Sequence, residues 1–107
     1  QGWQKTKRYE GTKNTDKDSY IYYIPDESSD NIYLVCDITE YDTTAVGDKG
    51  IEVYVNDKLI GNIDSKGTTK LKIGYVSGDE LLTVKFHADN AEYTLYSISL
   101  DKGQAET

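Results

Sequence analysis

Apolar and polar residues alternate in short runs along most of this chain, and that alternation restricts its fold more than any other feature. Successive side chains on an extended strand point to opposite faces, so each such run can bury one face and wet the other. Nowhere does an apolar stripe with a period of about 3.6 residues persist for three turns, so no long helix is expected.

The first clear run is "SYIYYI" (19–24), closed by Pro25 and the polar loop "PDESSDN". In "IYLVCDIT" (32–39), Leu34, Cys36 and Ile38 share one face, while Tyr33 and Asp37 share the other. "YDTTAVGDKG" (41–50) reads as a long polar connection. "IEVYV" and "KLIGNI" flank Asn56-Asp57, a pair suited to a tight hairpin turn. "TKLKI" (69–73) points Leu71 and Ile73 inward, and "LLTVKFH" (81–87) does the same with Leu82, Val84 and Phe86. "YTLYSISL" (93–100) closes the set with Tyr96, Ile98 and Leu100 on one face. Turn residues separate the runs: Gly47 and Gly50, Gly67, Ser77-Gly78-Asp79 and Asp89-Asn90. The pattern predicts an all-β fold, an antiparallel jelly-roll-like β-sandwich of about seven to nine strands. The expected core is Leu34, Cys36, Ile38, Ile51, Val53, Val55, Leu71, Ile73, Leu82, Val84, Phe86, Tyr96, Ile98 and Leu100.

At 107 residues the chain has the length of one domain. Trp3 is expected to anchor an edge of it, and residues 101–107 read as a frayed tail. No methionine occurs, which suggests a piece of a longer protein, with Gln1-Gly2 as a tag remnant. No apolar run is long enough to span a bilayer. Twelve basic against 19 acidic residues leave a net charge of −7, which argues against nucleic acid and against docking on an anionic bilayer.

Catalysis finds little support. The chain has one His and one Cys; Cys36 looks inward and His87 outward, so a Cys–His pair is not expected. No serine sits in a Gly-x-Ser-x-Gly elbow. The reading is therefore of a domain that is not an enzyme. One His and one Cys also cannot furnish the usual zinc ligands. Calcium is the one cofactor left open, with Asp26 and Asp30 as its weak candidates. Asp26, Ser28 and Asp30 have the opening spacing of a calcium loop, and Asn14, Asp16 and Asp18 repeat it. However, Asn31 stands where an EF-hand needs Gly, and Asp37 replaces its closing Glu.

Tyrosine is the compositional outlier: ten, against one Phe and one Trp. Flat rings beside polar side chains suit a sugar, whose apolar face stacks while its hydroxyl groups hydrogen-bond. Tyr20 and Tyr22 share one parity, and Tyr33 and Tyr54 face outward on their strands. With Asn56 and Asn62 near the hairpin tip, Tyr33 and Tyr54 form the expected glycan-contact set. The bland reading is that such tyrosines only cover a half-buried second face. A third reading has an exposed strand such as 20–24 pairing with a partner.

"VYVNDKLIG" resembles the Val-x-Val-Asn-Gly-Lys-x-x-Gly hairpin of galactose-binding-like jelly rolls, and "GYVSGDELLTVKFH" resembles the strand that follows in them. The larger sequence of "YYIPDESSDNIYLVCDI", "IEVYVNDKLIGNI" and "TTKLKIGYVSGDELLTVKF" resembles the extracytoplasmic β-sandwich segment of YfhO-type bacterial membrane proteins, which are glycosyltransferase-like. The resemblance spans about residues 18 to 100 and departs from the pattern in Asp57, which replaces the hairpin Gly. It implies an accessory, non-catalytic domain on the extracytoplasmic face of a membrane-embedded parent chain, handling glycan or envelope polymer. It transfers no catalytic residue. The alternatives are a carbohydrate-binding module linked to a glycoside-active enzyme and a surface adhesion domain.

Overall fold

In the computed structural model the seven runs become strands, joined by an eighth strand near the N-terminus that alternation did not mark and by one helical turn in the connection 41–50. The structure describes residues 6–14, 17–89 and 92–103, with the side chains of 6–14 left aside. Trp3 and the pair Gln1-Gly2 therefore lie outside the described residues. The strands are β1 (Thr6–Asn14), β2 (Asp18–Tyr23), β3 (Ser29–Tyr41), β4 (Ile51–Val55), β5 (Lys58–Ile63), β6 (Gly67–Val76), β7 (Leu82–His87) and β8 (Tyr93–Lys102). One sheet has the order β1-β8-β3-β6 and the other β2-β7-β4-β5. Every pairing is antiparallel. The first strand thus meets the last and the second meets the seventh, as in a long hairpin rolled over itself: a jelly-roll sandwich. The Cα radius of gyration, 13.6 Å, is close to the roughly 13 Å of one domain this long.

Alternation builds the core directly. β7 buries Leu82, Val84 and Phe86, β4 buries Ile51, Val53 and Val55, and β3 buries Ile32, Leu34, Cys36 and Ile38. Each such aliphatic or aromatic side chain contributes about 1.5–3 kcal/mol relative to exposure. The Cys36 thiol sits among them, and burial pushes its pKa up to about 12.

Two expected core residues are displaced by bulges. Opposite β3, Asp37 pairs with Ser97 but Ile38 pairs with Leu95, so Tyr96 is the extra residue in β8. A bulge shifts the alternation by one. Tyr96 is therefore only half-buried, and Tyr93 and Leu95 are buried in its place. In β6, Ile32 pairs with Gly74 and Tyr33 with Lys72, which leaves Ile73 extra. Ile73 packs against the rim of the core, while Val76 fills the interior.

The connection 41–50 is more ordered than its polarity suggests. Asp42 caps the helical turn α1 (Thr43–Val46), its Oδ1 accepting from the backbone N–H of Thr44 and Ala45 at 3.0 and 3.3 Å. Val46 is buried under the turn. At the other end, β8 runs into the expected tail: Asp101 and Lys102 pair with Tyr33 and Ile32. Residues 104–107 lie outside the described set.

Candidate functional site

The outer face of the second sheet gathers most of the groups that could hold a ligand. Cross-strand register sets them in rows. Asp18, His87, Glu52 and Asn62 form one row across β2, β7, β4 and β5. Tyr20, Lys85, Tyr54 and Leu59 form the next, and Tyr22 opposite Thr83 begins a third.

Tyr20 and Tyr22 carry the open aromatic surface. They are 50% and 55% exposed, and their rings lie nearly parallel, 5° apart, with centroids separated by 6.2 Å. The strand itself produces this spacing, since residues two apart on one face repeat at about 6.5–7 Å. Tyr54 is more engaged. The Lys85 ammonium stands 4.5 Å from its ring centroid, and its hydroxyl donates to Glu52 Oε1 at 3.3 Å. A cation over a ring is attracted by its negative face.

Below them, His87 Nδ1 lies 2.5 Å from Asp18 Oδ1, and Nε2 lies 3.7 Å from Asp89 Oδ1. The hydrogen bond to His87 holds the Asp18 carboxyl below the usual carboxylate range, aided by the charges of His87, Lys85 and Lys17 and opposed by partial burial. The two carboxylates thus flank opposite ring nitrogens. Cys36 is in the core and His87 on this outer face, so the chain's one thiol and one imidazole do not meet.

The four expected contact residues do not form one set. Tyr33 is on the outer face of the other sheet, between Lys72 and Asp101 in register. Gly103 lies close against it: a Cβ there would stand 2.5 Å from Tyr33 Cε1. Asn56 faces β7, where its backbone N–H donates to Thr83 O at 2.8 Å and its Oδ1 accepts from Thr83 N–H at 2.9 Å. It extends the β4–β7 ladder past Val55. Asn62 Nδ2 donates to Lys49 O at 2.6 Å and fastens β5 to the preceding loop. Next to that bond, Gly50 is needed as glycine: its φ is +70°, and a Cβ would stand 2.6 Å from Ile63 O. Of the expected set, Tyr54 and Asn62 stand on the tyrosine-rich face, and the Asn62 amide is already engaged there by Lys49 O. Lys85 was absent from that set, although its parity with Tyr20 and Tyr54 is readable once the strand order is known.

The larger concavities lie elsewhere. One of about 580 Å³ is lined by Glu40, Asp42, Lys66 and Glu92 at the end of β3 and β8. Its tyrosines, Tyr41 and Tyr93, are half-buried and buried and offer no open ring. Another of about 290 Å³ lies beside Ile60, Ile73, Tyr75 and Leu81. Its lining mixes aliphatic side chains with Lys58, Ser77 and Glu80, and the Asn56 side chain on its wall is already bonded to Thr83. Asp26 and Asp30, the calcium candidates, are both exposed, and no group of three or more His, Cys, Asp or Glu suited to a metal occurs among the described residues.

No family model, curated protein or solved structure matches this chain.

Proposed function

We propose that this domain is a non-catalytic accessory module that holds a glycan or envelope polymer against the outer face of the β2-β7-β4-β5 sheet. The observation that carries the reading is the pair of exposed, nearly parallel rings of Tyr20 and Tyr22 beside Lys85 and Tyr54. Such rings accept the apolar faces of successive sugar units. Lys85, Glu52 and His87 stand close enough on the same face to hydrogen-bond hydroxyl groups or to meet an acidic substituent. An open sheet face suits a chain-like ligand better than a small molecule, which needs enclosure. The likeness to the extracytoplasmic segment of YfhO-type membrane proteins supports a position outside the bacterial membrane, on a parent chain that spans it. Among the described residues no helix is long and apolar enough to cross a membrane, so in this reading the spans belong to the parent.

A carbohydrate-binding module linked to a glycoside-active enzyme would use the same face. Flanking coding sequence separates the two settings, with membrane helices in one case and a hydrolase domain in the other. The binding itself is tested by NMR titration of the labelled domain against cell-wall and plant glycans, with and without calcium. Shifts are expected at Tyr20, Tyr22, Tyr54 and Lys85, and they should disappear in Tyr22→Ala. A panel that leaves every resonance in place, in a folded domain, would sink the reading.

A further inference from the structure

We propose that β2 is a dimerisation edge, and that two copies of this chain join through antiparallel β2–β2 pairing into one continuous eight-stranded sheet. Edge strands expose unpaired N–H and C=O groups, and proteins usually guard them with bulges, prolines or charged side chains, lysine above all. Among the described residues the sandwich has four edges: β1 and β6 in one sheet, β2 and β5 in the other. The pairing of β1 shifts register between Arg8 and Thr12, and β5 carries Ile60 as an extra residue opposite β4. β6 bulges at Ile73 and bears Lys70 and Lys72. β2 has only the charge of Asp18 at its first position. It pairs residue for residue with β7 from Asp18–His87 to Tyr23–Leu82, and contains neither Lys, Gly nor Pro.

The ladder also shows which groups are open. Ala88 N–H donates to Lys17 O, and Asn56 N–H donates to Thr83 O. Hence Leu82, Val84 and Phe86 turn their backbone groups toward β2, and Thr83 and Lys85 turn theirs toward β4. Ser19, Ile21 and Tyr23 face β7 in return, so the backbone N–H and C=O of Tyr20 and Tyr22 point out of the sheet.

That edge is complementary to itself. With Ile21 on a two-fold axis, Tyr20 meets Tyr22 of the partner subunit, and Tyr22 meets Tyr20 of the partner subunit. Both pairs are of the kind that exchanges two backbone hydrogen bonds. Asp18 then lies opposite Ile24 of the partner subunit, so like charges do not face each other. On the outer face the tyrosines pair ring against ring; on the inner face the partly buried Ile21 side chains cover each other. Each copy carries a net charge of −7, so long-range repulsion opposes association and added salt should strengthen it.

The test is sedimentation velocity of the full chain over a micromolar-to-millimolar series at low and high salt, with no glycan present, so it does not depend on the glycan-face reading. The expected result is a shift toward twice the chain mass, at lower concentration in high salt. Tyr20→Lys with Tyr22→Lys places lysines opposite one another and should stay monomeric, with amide NMR shifts that change only around β2 and its neighbour β7. Tyr75→Lys removes a 64%-exposed ring elsewhere and should dimerise like the parent. A chain that remains monomeric throughout, or a dimer untouched by the double lysine variant, overturns the proposal. So does protection of the Tyr20 and Tyr22 amides from exchange in the monomer, which would assign the edge to a segment of the same chain.

Discussion

Asp18 and His87 are far apart in sequence and meet only because β2 and β7 are neighbours. Their contact has a consequence for acid stability. The folded state holds the Asp18 carboxyl below its ordinary value, mainly through the hydrogen bond from His87. Its stabilising contribution is therefore complete above the ordinary carboxylate range and is lost as pH falls through the folded value. Urea unfolding at neutral pH and at pH about 3 should show a larger loss for the parent than for Asp18→Asn. Equal losses would mean that the pair does not stabilise the fold. At this scale sequence parity located Cys36, Val53 and Val84 in the core, but it misplaced Tyr96. One inserted residue in β8 reverses the alternation, and neither tyrosine near the bulge differs chemically in a way that marks which one is inserted.

The β4–β5 hairpin is the element whose form was clearest in advance. Asn56 and Asp57 have φ of +50° and +69°, the left-handed pair that a two-residue turn between right-twisted strands demands. Asp57 occupies a position where Gly has no steric penalty, so Asp57→Gly should stabilise by about 0.5–1 kcal/mol in thermal or urea unfolding. Asn56→Ala should destabilise by about 1–3 kcal/mol, because it strands the Thr83 N–H that Oδ1 accepts. If Asn56→Ala were neutral, the side chain would not be extending the ladder. The turn chemistry was legible because it is local. The bond to Thr83 was not, since its partner lies across the sheet. The one-turn helix α1 was missed for a related reason: four residues are too few to display a helical period, and only the Asp42 cap signals it.

For the whole molecule, the rolled order places β8 between β1 and β3. A chain ending at residue 92 would lose this central strand and with it Tyr93, Leu95, Ile98 and Leu100 from the core. Such a truncation should give an unfolded circular-dichroism spectrum, and a native-like one would refute a single cooperative sandwich. The same topology decides the candidate site. Sequence by itself determined seven of the strands, most of the faces they bury and the hairpin turn, because alternation and turn chemistry act between residues close in the chain. It could not assign strands to sheets, because an alternating run offers the same backbone hydrogen bonds to any neighbour. Only the tertiary structure, by closing β1 on β8 and β2 on β7, put Tyr33 on one side of the sandwich and brought Tyr20, Tyr22, Lys85 and Tyr54 together on the other.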